Sequence, residues 1–362
     1  MSAHFGTLAE ALAYQQGAHG RTIDLGLERV REVAARLGLL EKCCPVVIVG
    51  GTNGKGSTAC FLSALLAACG HRAGLFTSPH LVHYNERVQI NGVPVEDATL
   101  LRAFERIESV RGAVTLTFFE YNTLAALEVF RNAGVTVMVL EVGLGGRLDA
   151  TNIIDADVAV LCSVGLDHRD WLGDTLAQIG AEKAGIFRLG QSVVLGSLDM
   201  PESIWQRAAA LECRLFVGER EFSARIHGDG AAAQSWDYRS AWCNLDGLPA
   251  PALSGAIQYR NAASALAALN LLGVAGACDR ELVAQALRSI RLPGRFQIVP
   301  GEVEWILDVA HNEPAAMVLA RELGARRIDG RTIAVAGMLS DKDAAAIARA
   351  LDSVVDHWLL AS

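Results

Sequence analysis

No apolar run in this sequence approaches the ~20 residues that a membrane span needs. Its first sixteen residues hold no basic segment followed by an apolar core, so no secretory signal is expected. The eight cysteines (Cys43, Cys44, Cys60, Cys69, Cys162, Cys213, Cys243 and Cys278) form no Cys-x-x-Cys pair. Such usage speaks against a disulfide or zinc framework and suits reduced, buried thiols in a cytoplasmic protein. Positive charge is also scarce: 32 Lys and Arg stand against 40 Asp and Glu, a net charge of −8. That balance argues against a broad nucleic-acid or membrane-binding face and leaves only local basic pockets. Internal repeats and low-complexity tracts are missing. What is present, 51% apolar and 20% charged residues over 362 positions, is the make-up of a globular chain long enough for two domains.

The most informative stretch is Val46-Val47-Ile48-Val49-Gly50-Gly51-Thr52-Asn53-Gly54-Lys55-Gly56-Ser57-Thr58. Four branched apolar residues read as a buried parallel strand, a glycine turn follows, and a helical pattern begins at Thr58. Strand, glycine loop, lysine and helix make a phosphate cradle: backbone N–H groups converge on an anion and Lys55 adds a full charge. Ser57 can hold Mg²⁺. Two points depart from the standard P-loop spacing, since Val49 stands where the first glycine belongs and Gly56 separates Lys55 from Ser57. The stretch predicts a nucleoside triphosphate site.

Strands are expected at 46–49, 72–76, 135–140, 158–164 and 192–195, with a hairpin at 87–95 turning at Asn91-Gly92. Helical patterns at 25–40, 95–110, 119–132 and 175–187 alternate with them, so the fold class is α/β with a doubly wound parallel sheet. The segment 216–251 changes to short alternating runs and predicts a small antiparallel patch. Helices over 261–272 and 280–290 lead to Arg291-Leu292-Pro293-Gly294, where we place the boundary between residues 1–291 and 292–362. The second part, with strands at 305–309, 332–336 and 357–360 and helices between, reads as a smaller Rossmann-like α/β domain that stops with its sheet incomplete.

Three polar segments follow expected strands, where ligands bind in open α/β sheets. They carry Ser78 before Pro79, Glu141 before a glycine loop, and His168 beside Asp167. Taken singly, Ser78 can cap a turn, Glu141 can be structural and His168 can be a hydrogen-bonded loop residue. Together they form a plausible set for Mg²⁺, or for Mn²⁺ given the imidazole. Lys183, on a helix with apolar neighbours, reads from pattern alone as a lysine snorkelling to solvent; desolvated near cations, it would instead be a neutral amine able to react with CO₂. Arg295, Asp308 and His311 of the second domain can complete the site by closure.

These segments, with Thr22 to Val30, Thr117-Phe118-Phe119-Glu120-Tyr121, Glu141 to Asn152, Leu292 to Phe296 and Asp308-Val309-Ala310-His311-Asn312, closely resemble the bacterial folylpolyglutamate synthase/dihydrofolate synthase family of the Mur ligase superfamily. The resemblance covers essentially the whole chain in motif order. It implies an ATP-dependent ligase that joins L-glutamate to dihydropteroate and to reduced folates through an acyl phosphate, with two Mg²⁺ ions. By motif, Thr52, Asn53, Gly54, Lys55, Gly56, Ser57, Asn261, Arg295 and Asp308 would contact ATP. Ser57 would hold the nucleotide-side Mg²⁺; Ser78, Glu141 and His168 would hold the second. Lys183 takes the position that is carbamylated in the family, which requires CO₂ or bicarbonate, and Lys55, Lys183 and His168 would serve catalysis. The pterin would lie against Ile23, Asp24, Leu25 and Gly26, against Thr117, Phe118, Phe119 and Glu120, and against Leu148, Asp149 and Ala150. A monomer with no nucleic-acid or membrane partner is implied. The wording is closer to bifunctional members than to those that only extend polyglutamate tails. Another superfamily ligase, a polyglutamylating enzyme alone, and an ATP-binding protein without ligase activity stay open as alternatives. Glu313 intervenes between Asn312 and Pro314, a departure from the family wording.

Overall fold

The computed structural model describes residues 4–228, 235–326, 330–340 and 342–361. The chain opens with helices α1 (Leu8–Gly17) and α2 (Glu28–Leu37), then strand β1 (Val46–Gly50) and helix α3 (Lys55–Ala68). Next come β2 (Ala73–Phe76), β3 (Val88–Ile90), β4 (Val93–Pro94), α4 (Asp97–Arg111), α5 (Phe118–Asn132), β5 (Val137–Glu141) and β6 (Val158–Leu161). After α6 (Arg169–Leu172), α7 (Leu176–Lys183), β7 (Ser192–Leu195), α8 (Glu202–Ala210) and β8 (Arg214–Val217), the strands β9 (Phe222–His227), β10 (Ser235–Ser240) and β11 (Asn244–Pro249) form an antiparallel sheet. Helices α9 (Ile257–Leu271) and α10 (Arg280–Ser289) complete the larger part.

The main sheet runs β4-β3-β2-β5-β1-β6-β7-β8. It is mixed: the expected parallel strands carry at one edge the hairpin expected at 87–95. The strands from β2 to β8 in that order pair in parallel, but β3 and β4 add an antiparallel edge. The two-residue turn at Asn91 (φ 52°) and Gly92 (φ 75°) sets β4 antiparallel to β3, and β3 itself runs back antiparallel to β2 after the connection 77–87. Alternation within the strands serves both faces. Val46 and Ile48 pack under α2, α4 and α5, whereas Val47 and Val49 pack under α3, α9 and α10. Because β1 lies between β5 and β6, the loops after all three converge at one end of the sheet.

Beyond β12 (Gln297–Val299) the remaining elements are β13 (Trp305–Leu307), α11 (Glu313–Gly324), β14 (Ile333–Ala336), α12 (Ala344–Leu351) and β15 (His357–Leu360). β13 pairs antiparallel with β12, so it does not join the expected parallel sheet; β14 and β15 pair in parallel. Helices α11 and α12 bury Ala316, Ile347 and Leu351 as a separate small core. No helix among the described residues is long and apolar enough to cross a membrane.

Candidate active site

β1 is buried along its whole length and delivers Gly51 to the middle of the sheet end. Gly51 has φ 142°, and a Cβ there would lie 3.1 Å from the Ser163 amide nitrogen and 3.2 Å from Cys162. Gly54, at φ 90°, precedes α3, and its Cβ would meet Asn261 Oδ1 at 3.0 Å. No side chain caps that helix, so the amides of its first turn are left for an anion. The loop is pinned from β6: Thr52 N donates to Ser163 O (2.8 Å), Asn53 N to Ser163 Oγ (3.0 Å), and the Thr52 hydroxyl donates to Gly165 O (3.1 Å) while accepting from Gly165 N (2.9 Å). Lys55 Nζ donates to Thr52 O at 3.1 Å, and Ser57 is buried in the first turn.

Glu141 ends β5 as a buried carboxylate whose Oε2 accepts from Ser78 N at 3.1 Å. A Cβ on Gly56 would stand 3.5 Å from Glu141 Oε1 and 3.8 Å from Arg295 Nη2, so α3, β5 and the C-terminal part converge on one point. Burial pushes the Glu141 carboxyl up; Lys55, the Ser78 amide and Arg295 oppose this. His168 sits at φ 50°, and burial pushes its imidazole down, against the nearby Asp167; Lys342, Lys55 and Lys183 add to the fall. Lys183 is only 5% exposed and passes beneath the phosphate loop, its Nζ donating to Gly51 O at 3.0 Å. Burial first, then the Lys55 charge, push its amine down to about 7. Among the described residues no three His, Cys, Asp or Glu side chains form a ready-made metal cage. The donors present are two hydroxyls, one carboxylate and one imidazole, a set that fits a hard cation completing its shell with phosphate or water oxygens.

Asn261 is buried on α9 over Gly54 and donates to Gln258 Oε1 at 3.0 Å. Arg295 is half-buried beside Gly56. Asp308 is exposed, with its two oxygens accepting from Phe296 N and Ala310 N, each at 2.8 Å, so it shapes the loop that presents Arg295. His311 and Asn312 lie over the loop after β6. His311 Nε2 is 3.4 Å from Asp167 Oδ2, and Asn312 exchanges two hydrogen bonds with Asn53 (3.0 and 3.1 Å).

The three acceptor-side segments form one neighbourhood. Arg29 links Asp24 (2.7 Å) to Glu120 (3.3 Å), and Ile23 is 38% exposed with Leu25 and Gly26 half-buried beside it. Thr117 caps α5, and Glu120 returns a bond to its amide at 2.7 Å. Phe119 covers Gly143 so closely that a Cβ there would stand 2.6 Å from the ring, while Phe118 packs edge-on to Tyr84. Asp149 is buried and saturated: Oδ2 accepts from Gly143 N (3.0 Å) and Leu144 N (2.9 Å), Oδ1 from Thr151 N (3.0 Å) and its hydroxyl (2.6 Å). It organises the loop carrying the half-buried Leu148 and the buried Ala150. Sequence reasoning did not single out Arg87 or Lys342. Arg87 is a buried cation donating to His80 Nδ1 at 2.8 Å over the rings of Tyr84 and Phe118. Nothing local in the sequence marks either residue as part of the site.

The Mur ligase middle domain family matches residues 49–269, and the Mur ligase glutamate ligase domain family matches residues 294–362. The chain is 46% identical over 357 residues to the dihydrofolate synthase/folylpolyglutamate synthase of Escherichia coli strain K12, covering 98% of this chain and 81% of that protein. Against the Haemophilus influenzae protein of that name the identity is 39%, covering 97% and 82%. E. coli FolC in complex with DHPP and ADP superposes with a TM-score of 0.92 at 45% identity, over 98% of this chain and 83% of that one. A bifunctional folylpolyglutamate synthase/dihydrofolate synthase with Mn, AMPPNP and L-glutamate bound gives 0.89 at 42%, over 99% and 84%. A phosphate loop with a buried carboxylate and lysine against it, and an acceptor-side cluster beside it, is thus accompanied by near full-length likeness, and the chain belongs to the dihydrofolate synthase/folylpolyglutamate synthase family of Mur ligases.

Proposed function

We propose that this chain is an ATP-dependent ligase joining L-glutamate to dihydropteroate, giving dihydrofolate, and to reduced folates, giving folylpolyglutamates. The observation that carries the reading is the meeting of Glu141, Gly56 and Arg295 at the open end of α3. The relatives that bind ADP or AMPPNP, DHPP, Mn and L-glutamate support it.

A carboxylate is a poor electrophile, so the γ-phosphoryl group is first passed to it as an acyl phosphate. The amides after Gly54 hold the nucleotide phosphates, and Lys55 and Arg295 offset the oxygens crowded by that transfer. Asn261 would fix the loop against α9, and Asp308 would hold the Arg295 loop toward the nucleotide. Ser57 would hold one divalent cation, and Ser78, Glu141 and His168 a second; such ions supply charge neutralisation for phosphoryl transfer. We assign Lys183 as a carbamate: its neutral amine adds to CO₂ and loses one proton, creating a carboxylate on that side of the site. The acceptor carboxylate would be presented from the cluster of Ile23 to Gly26, Thr117 to Glu120 and Leu148 to Ala150. The glutamate amine then attacks the acyl phosphate, phosphate leaves, and exclusion of water protects the intermediate. We assign domains at 1–291 and 292–362, a division supported by the gap between the two matched segments, and a cytoplasmic monomer.

ADP release by the purified chain tests this, with ATP, Mg²⁺, bicarbonate and L-glutamate, adding dihydropteroate or tetrahydrofolate in turn. Turnover with both acceptors is expected. Turnover with tetrahydrofolate alone reduces the activity to polyglutamylation, and none with either overturns the ligase reading.

A further inference from the structure

We infer that Asp167 is a positioning residue, a buried latch that fixes the C-terminal part of the chain against the phosphate loop in the arrangement ligation requires. The inference rests on the ligase reading of the same site and adds to it a residue that touches neither nucleotide nor acceptor.

Asp167 lies in the loop after β6 with its side chain 9% exposed. Four groups surround it: the donors His168 N (2.8 Å) and Lys342 Nζ (3.0 Å) on Oδ1 and Asn312 Nδ2 (2.9 Å) on Oδ2, and the His311 ring, whose Nε2 lies 3.4 Å from Oδ2. Three of these come from the C-terminal part. The Lys342 ammonium and the Asn312 amide meet the two oxygens of this carboxylate from the C-terminal side, one on each. The Lys342 side chain is likewise 9% exposed, so two opposite charges are removed from water together. If the two parts separate, Asp167 keeps the amide and the imidazole of its own neighbour, His168.

The link continues to the nucleotide side through Asn312. Its Nδ2 donates to Asp167 Oδ2 (2.9 Å) and Asn53 Oδ1 (3.1 Å), and its Oδ1 accepts from Asn53 Nδ2 (3.0 Å) and Ala315 N (3.0 Å). All the bonding capacity of that amide is used, and a flip would aim its NH₂ at the Ala315 amide, so its orientation is determined. Asp167 thereby sets Asn312, Asn312 sets Asn53, and Asn53 lies in the phosphate loop. An asparagine at 167 would bring one acceptor oxygen and a donor into a ring of donors.

The test uses the full chain with Asp167→Asn, Lys342→Met and the double variant. Hydrogen exchange over 51–58 and 312–324, with and without AMPPNP, reads the latch independently of turnover. We expect faster exchange in both segments, with the central strands unchanged. We also expect kcat lowered about 10- to 100-fold, as misplaced reacting groups cost, with KM for tetrahydrofolate within about twofold. The double variant should be no slower than the worse single, because both remove one contact. Lys342→Met lies outside the central core and keeps the test open if Asp167→Asn does not fold. Unchanged kcat in a folded single variant, or losses that multiply in the double, would overturn the inference. Failure of the ligase reading shows differently, as absent turnover in the unmodified chain.

Discussion

The Lys183 amine donates to the Gly51 carbonyl at 3.0 Å, placing an amine pushed down to about 7 under the backbone of the phosphate loop. Carbamylation consumes the neutral amine, so the ligase rate should rise with pH through about 7 and fall when CO₂ is stripped from the buffer. Initial rates from pH 6 to 9, with and without added bicarbonate, check this; rates indifferent to CO₂ would remove the carbamate. The stability sign is also fixed. Between about 7 and the ordinary 10.5 the unfolded chain holds a proton that the native lysine lacks, so the cost of burying Lys183 is relieved progressively as pH rises across that window. Lys183→Met should lose that slope in denaturant titrations.

Glu141 is a buried carboxylate raised by desolvation. Glu141→Gln should leave the melting temperature unchanged or higher, since an amide is cheaper to bury than an anion. Turnover should fall about 100-fold or more, the scale for removing one preorganised electrostatic group. Melting curves beside Mg²⁺ titrations of the rate separate the two effects.

Two glycines divide conformational strain from lost space. Gly54 (φ 90°) would set a Cβ 3.0 Å from Asn261 Oδ1, whereas Gly70 (φ 82°) has nothing within 4 Å. Each alanine variant should lose about 1–2 kcal/mol from its left-handed backbone. Only Gly54→Ala should also weaken ADP binding, measured by calorimetry.

Asp149→Ala removes a carboxylate that takes four hydrogen bonds. We expect a stability loss of about 2–4 kcal/mol and a raised KM for the pterin acceptor with KM for ATP little changed. Chemical denaturation and steady-state kinetics check both.

Continuous branched runs made β1, β5, β6 and β7 legible, because strands buried on both faces have no polar alternation to blur them. β8 was missed: it is an edge strand with only Val217 buried, and Arg214 at its start reads as loop. Helix α8 also went unread, for Pro201 and a short apolar stripe leave little periodic signal. Lys183 illustrates the limit at the site. Its helix pattern suggested a solvent-facing lysine, and only the meeting of α7 with the β1 loop buries it. The Asp167 cluster was illegible for the same reason, since Lys342 is 175 positions away.

The paired amides of Asn53 and Asn312 have a consequence for how the protein is made. They are separated by 259 positions, roughly 10 to 50 seconds of synthesis at ~5–20 residues per second. The phosphate loop is therefore translated well before its clasp exists, whereas Asn261, on the helix covering it, precedes Asn312 by 51 positions, roughly 3 to 10 seconds. Until then the Asn53 side chain lacks the Asn312 amide that fixes it in the phosphate loop.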